Sequence, residues 1–326
     1  MMTTTTERMN QTPQELRTDG FQTIQALTAE MNRSIVMNMD STLAAVGGVA
    51  LGGALLEGGS GEGKTLLALS MAKAAGGTFV REQGTADKLP SDFLGNLVYH
   101  QGKQDFVFRP GPVFDANVLL ADEFNRNSEK AQTGFLELFG ERQITIAGVT
   151  YQVKDPFTVF ATQNLQNEYG TNPLPRATLD RFPISIDTAQ TEDEQADVLD
   201  FFLDNKYETQ QVVEATAISG LRKAIKTVEI AKEYRQAIMT ITKEVANHPK
   251  LDSADSIVKG RAKLRVADLA RFHALSRGKE VANVNLADIY FASQFVFPHR
   301  IVPTFDAVNE NIKPIDIVQE SLKKAI

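Results

Sequence analysis

Gly58-Gly59-Ser60-Gly61-Glu62-Gly63-Lys64-Thr65 decides the fold. The stretch satisfies the pattern GxxxxGK[ST] at every position, and it has the flanks that pattern requires. A short apolar run, Ala54-Leu55-Leu56, leads in as a strand; Thr65 to Ala75 leads out as a helix with Leu67, Met71 and Ala75 on one face. Glycines let successive backbone N–H groups curl around a phosphate, and the N-terminal end of the following helix adds a favourable dipole. Gly58, Gly59, Ser60, Gly61, Glu62, Gly63 and Leu66 are therefore expected to line a nucleotide phosphate site. Lys64 is expected to reach the β- and γ-phosphates of ATP. Thr65 is expected to place its hydroxyl on Mg2+, a small hard cation that takes oxygen ligands.

Outward from the loop, Gly76-Gly77 stops the helix. Thr78-Phe79-Val80 and Phe157 to Thr162 read as further strands, as does the unbroken run Val118-Leu119-Leu120-Ala121, which is apolar enough to be buried on both faces. Ser128 to Phe139 carries Ala131, Phe135, Leu138 and Phe139 at helical spacing. Strands alternating with helices predict an α/β fold built on a parallel sheet. Two hairpins are expected to interrupt it. Ile144-Thr145-Ile146 faces Val149-Thr150-Tyr151 across Ala147-Gly148, and Arg109-Pro110-Gly111-Pro112 closes another after Phe106-Val107-Phe108.

Asp122-Glu123 follows the buried run directly, so two carboxylates stand at the C-terminal end of a strand, where ligands sit in open α/β sheets. An acidic pair in that place often only caps a helix; the upstream phosphate loop favours the chemical reading. Asp122 would hold Mg2+ through water and Glu123 would polarise the attacking water as general base. The strand ending in Thr162-Gln163-Asn164 repeats the geometry, and Asn164 could orient the same water. Hydrolysis also needs positive charge near the γ-phosphate. Arg181, in Leu179-Asp180-Arg181-Phe182, is the first choice for a finger reaching a neighbouring subunit's site, with Arg176 and Arg126 as competitors. Arg261, beside Gly260, could touch nucleotide from a second domain, although spacing alone would not select it.

The 326 residues suggest two domains. With 42% hydrophobic and 23% charged residues the chain has ordinary globular composition. A net charge of -7 disfavours general nucleic-acid binding. Without cysteine there are no disulfides, zinc-thiolate sites or iron-sulfur clusters, and a reducing, cytoplasmic setting is compatible. His100, His248, His273 and His299 lack metal-ligand spacing, so no metal beyond Mg2+ is implied. The polar, Thr-rich start is not a signal peptide, and the most apolar stretch, Leu43 to Leu56, is too short and glycine-broken to span a bilayer. The expected organisation is a disordered tail over 1–18, an α/β nucleotide-binding core over 19–190 opening on a helix near Asp19 to Asp40, and a helical domain over 191–326.

The motifs in order resemble the MoxR family of AAA+ ATPases: LLEGGSGEGKT, LPSDFLG, FRPGPVF, LLADEFNR, ATQN, the run around Gly170 to Pro175, and LDRF. The resemblance is specific over roughly 45–190 and weaker beyond, through Gly260-Arg261-Ala262 and Phe297-Pro298-His299-Arg300-Ile301. It implies that Lys64 and Thr65 are Walker A, Asp122 and Glu123 Walker B, Asn164 sensor 1, Arg181 the trans finger and Arg261 sensor 2. It further implies a P-loop AAA+ core with hairpin insertions and a smaller all-helical lid. A hexameric homo-oligomer, chaperone-like remodelling of a protein client and partners with von Willebrand factor A domains belong to the same expectation. Departures from the family pattern include Gly59-Ser60 and Glu62 in the loop, Phe124 for an aliphatic residue, Leu165 after the sensor asparagine, and Arg176 where glutamate is common. The alternatives are the motor subunit of a metal-chelatase-like complex, then a nucleic-acid motor, then a nucleotide-binding assembly protein with little turnover.

Overall fold

The computed structural model describes residues 11–59, 61–163, 174–190, 192–204 and 208–325. Its strands are β1 (Gly53–Glu57), β2 (Phe79–Gln83), β3 (Gly95–His100), β4 (Asp105–Pro110), β5 (Val118–Asp122), β6 (Gln143–Ile146), β7 (Val149–Gln152), β8 (Thr158–Gln163) and β9 (Ser185–Asp187). The helices up to the end of the sheet are α1 (Pro13–Ser34), α2 (Met39–Leu51), α3 (Lys64–Ala74), α4 (Pro90–Leu94), α5 (Glu129–Glu141) and α6 (Arg176–Leu179). There follow α7 (Glu192–Asp204), α8 (Ala215–Lys226), α9 (Lys232–Ala246), α10 (Gly260–Ser276), α11 (Leu286–Val296), α12 (Phe305–Asn309) and α13 (Pro314–Lys324).

The chain divides into two compact units, Glu30–Ala215 and a second formed by the residues up to Ala29 together with those from Thr216 onward. The first is built on a five-stranded sheet in the order β2-β5-β8-β1-β9. Every pairing in it is parallel. The expected α/β architecture is therefore present, with β9 as a strand too short to carry a periodicity of its own. β5 is buried along its whole length, as its unbroken apolar run requires, and β8 beside it is buried up to Gln163. Parallel strands put their C-terminal ends on one edge, and that edge carries Glu57, Gln83, Asp122 and Gln163 together.

Beneath that edge lies an aromatic core. Phe93 stacks on Phe135 at 3.9 Å, and Phe124 meets Phe135 edge to face at 5.2 Å. Phe139 links Phe124 to Phe182. Phe124, which follows Glu123 directly, is fully buried there. Ser128 caps α5 by accepting from Ala131 N at 3.3 Å, starting the helix that brings Phe135, Leu138 and Phe139 to the cluster.

Both hairpins are present, but the second closes elsewhere. β6 and β7 pair across Ala147-Gly148 as expected. β4 pairs back onto β3, so the turn is residues 101–104, and Arg109-Pro110 belongs to the strand rather than to the turn. The missed partner, Asn96-Leu97-Val98-Tyr99, has no clean alternation of apolar and polar residues; five of the six β3 positions are exposed.

The N-terminal segmentation also differs from expectation. Residues 13–18 are helical rather than part of a tail: Thr12 N donates to the Glu15 carboxylate at 2.7 Å, Glu15 N donates to Thr12 Oγ1 at 3.3 Å, and Pro13 opens the first turn. The helix ends at Ser34, and a second starts at Met39 under an Asn38 cap. Thus Asp19 to Asp40 is not one helix. In the helical unit α1 approaches α8 and α10 so closely that a Cβ on Gly20 would lie 2.6 Å from Ala224 Cβ. The core boundary falls after Ala215 rather than at residue 190, because α7 is counted with the sheet. Helix-forming composition announces a helix without saying which core it joins.

Removing the Phe124 ring would empty the centre of the aromatic cluster beside Asp122 and Glu123. Phe124→Ala is expected to lower unfolding stability by about 3–5 kcal/mol in urea titration.

Candidate functional site

The loop after β1 turns on glycines whose conformations only glycine adopts easily. Gly61 has φ +85° and Gly63 φ +76°, and a Cβ added to either would meet nothing within 4 Å, so both open onto free space. Gly63 is the N-cap of α3, which leaves the first N–H groups of that helix directed at the loop. Lys64 Nζ donates back across the loop to the carbonyls of Gly58 and Gly59, and the Glu62 carboxylate accepts from Gly59 N. A carboxylate on that N–H shows the loop's preference for anionic oxygen. Ser60 lies outside the described residues.

Thr65 and Asp122 are brought together as expected: Thr65 Oγ1 is 3.4 Å from Asp122 Oδ2. The geometry depends on Thr162, which sequence reading had used only to end a strand. Its hydroxyl donates to Asp122 Oδ1 at 2.7 Å and accepts from Glu123 N at 2.7 Å. That bond helps hold Glu123 in a left-handed conformation, φ 48° and ψ 46°, which costs a side-chain-bearing residue roughly 1 kcal/mol or more. The Glu123 carboxylate receives Gln83 Nε2 at 2.8 Å and Arg126 Nε at 3.2 Å.

Arg81 was also missed. Its Nε and Nη2 lie 2.8 and 2.6 Å from Asp122 Oδ2. Arg81 and Gln83 are two apart on β2 and so project to the same face, a signal that matters only once β2 is known to pair with β5. Lys64, Thr65, Arg81, Asp122, Glu123 and Thr162 line a cavity of about 330 Å³ with Gly61 to Gly63. A second, more apolar cavity of about 260 Å³ shares the loop glycines and Leu66; Ile35, Val36, Met37, Val198 and Phe201 complete its apolar wall. Sequence reading did not find this second cavity, because its walls come from the α1–α2 link and from α7.

The arginines separate. Arg126 stands at Glu123 in the same chain. Arg181 instead donates to Ala177 O at 2.8 Å within its own helical turn, and Arg176 opens α6. Neither is among the residues of the 330 Å³ cavity. Arg261 is in the first turn of α10, in the helical unit. Asn164 lies outside the described residues.

These donors suit a triphosphate and a hard cation: an ammonium and backbone N–H groups for the anion, and a hydroxyl with a carboxylate for Mg2+. Among the described residues there is no cluster of three or more His, Cys, Asp or Glu that could hold a metal ion. Among them, too, no helix is long and apolar enough to cross a membrane.

Glu57 ends β1 immediately before the loop. Burial pushes its carboxyl up to about 7; Gln163, donating at 2.6 Å, and Ser185 oppose that rise, and the Asp187 carboxylate adds to it.

The chain matches known proteins along most of its length. The family described as "ATPase family associated with various cellular activities (AAA)" matches residues 53–184. Chaperone MoxR1 of Mycobacterium tuberculosis is 33% identical over 285 residues, 85% of this chain and 75% of that protein. The uncharacterized Bacillus subtilis protein YeaC is 33% identical over 296 residues, 89% of this chain and 90% of the relative. A crystal structure of an ATPase candidate from Cytophaga hutchinsonii, 30% identical, superposes with a TM-score of 0.77 over 95% of this chain and 96% of its own.

Because the folded carboxyl of Glu57 titrates above its ordinary value of 4.5, its contribution to stability is full below pH 4.5 and is lost as pH rises to about 7. The gap corresponds to roughly 3–4 kcal/mol. Glu57→Gln should therefore unfold with little pH dependence across that window, and should exceed the wild type in denaturant midpoint at pH 8.

Proposed function

Because the chain belongs to the MoxR family of AAA+ ATPases, we propose that it hydrolyses ATP to ADP and phosphate in an Mg2+-dependent reaction and uses the turnover to remodel or activate a protein client. The observation that carries this reading is the single cavity in which Lys64 and Thr65 of the loop face Asp122 and Glu123 of the strand end. Phosphates lie on the loop, with the Lys64 ammonium on the β- and γ-oxygens, and the base and ribose extend past Leu66 into the apolar cavity walled by Ile35, Val36, Met37, Val198 and Phe201.

Thr65 and Asp122 would hold Mg2+, which would supply positive charge against the negative phosphate oxygens. Glu123 accepts the proton of the attacking water. Its side chain is aimed by the left-handed backbone that Thr162 fastens, and Gln83 and Arg126 restrain the carboxylate until the water arrives.

Arg126 brings positive charge to Glu123 in the same chain, whereas Arg181 does not line its own chain's cavity and suits a finger serving a neighbour in a homo-oligomeric, hexameric ring. The work is then done on a protein client, with von Willebrand factor A domain proteins as the first class to test.

ATPase rate measured against protein concentration, with light scattering alongside, tests the reading. Specific activity should rise steeply with assembly. Glu123→Gln should bind ATP and turn it over at least about 100-fold more slowly. Arg181→Ala should assemble without turnover, and mixing it with Glu123→Gln should restore part of the activity. Concentration-independent turnover by a monomer would contradict a shared site.

A further inference from the structure

The carboxylate expected to serve Mg2+ already has a cation. Arg81 reaches Asp122 Oδ2 through Nε at 2.8 Å and Nη2 at 2.6 Å, and Nη2 also donates to Gln83 Oε1 at 2.7 Å. The Asp122 side chain is 7% exposed and that of Arg81 49%, so the pair is anchored at the acid and open at the base. It opens into the same cavity as Lys64, Thr65 and Glu123. Asp122 Oδ1 is taken by Thr162, and Oδ2 is the oxygen nearest Thr65. The oxygen needed for the cation's shell is therefore the one the guanidinium uses. Two cations on one carboxylate oxygen repel each other, so each weakens the other's hold on it.

We propose that Arg81 is a positioning residue that competes with Mg2+ for Asp122 and, once displaced, turns its planar fork to the terminal phosphates of the nucleotide in the same chain. The guanidinium suits both partners, since carboxylate and phosphate present the same paired oxygens. Its stem ends on the cavity wall, so the change of partner needs a rotation of the side chain and no movement of the strand. Arg81 thereby opposes Mg2+ in the nucleotide-free site and supports phosphate in the filled one. This rests on the ATP reading above.

The opposed signs make the test specific. Binding of a fluorescent ATP analogue to the full chain would be followed in EDTA and during Mg2+ titration, for wild type, Arg81→Gln, Arg81→Lys and Lys64→Ala. In Arg81→Gln the half-saturating Mg2+ concentration should fall about fivefold to tenfold, because the competitor is gone. Affinity at saturating Mg2+ should drop about tenfold, because the guanidinium that Mg2+ turns to the phosphates is gone, while affinity in EDTA, where Arg81 stays on Asp122, should hold within about threefold. Arg81→Lys keeps the charge without the fork and should stay within about threefold of wild type in EDTA. An unchanged Mg2+ requirement in Arg81→Gln would overturn the proposal, as would loss of affinity by the same factor with and without Mg2+, the mark of a purely structural arginine. Arg81→Ala, which also removes the charge, takes its place with the same expected outcomes if Arg81→Gln does not fold. Wild type that binds the analogue while Lys64→Ala does not supports the nucleotide reading independently of Arg81. Wild type that fails to bind under any condition would remove that reading and this one together.

Discussion

Everything at the candidate site hangs on one hydroxyl. Thr162 ends β8 against the end of β5 and bonds both Asp122 Oδ1 and Glu123 N at 2.7 Å. The two acidic residues differ in conformation: Asp122 is the last residue of a buried strand, and Glu123 turns back in the left-handed region. A threonine with one donor and accepting lone pairs can serve both at once. The strained turn persists because Phe124, its next residue, is fixed among Phe135 and Phe139. A buried aromatic core on one side and a two-way hydrogen bond on the other together set where the Glu123 carboxylate points.

The loop and the strand ends divide the work. Glycines 61 and 63 leave open space for an anion, and the residues around Asp122 gather charge: Arg81 and Arg126 against Asp122 and Glu123. Each acid has a basic or amide partner from a different position, so both carboxylates are already held by the protein's own side chains. Glu57, with a carboxyl that titrates near neutrality, lies directly under the loop and is tied to β8 through Gln163.

What was legible in the sequence was whatever is local. GxxxxGK[ST] and the Asp122-Glu123 pair each fit within a strand end and the turn after it, and both take the places expected of them. Arg81, Gln83 and Thr162 were invisible as site residues because their roles depend on strand order, β2 beside β5 and β5 beside β8, which no spacing along the chain reveals. The same limit explains α7, whose helical character was evident although its Val198 and Phe201 turn out to wall a cavity with Leu66. By contrast the early start of α1 was readable: Thr12, Pro13 and Glu15 make a capping box that a Thr-rich, tail-like composition obscured.

The most direct test is a comparison of wild type with Thr162→Val, which keeps the shape of the side chain and removes its hydroxyl. Single-turnover hydrolysis and ATP-analogue affinity would be measured side by side. If Thr162 sets the aim of Glu123, the hydrolysis step should slow by at least about tenfold while nucleotide affinity stays within about threefold. An unchanged hydrolysis step would contradict the account, because Glu123 would then be aimed by something other than the end of β8.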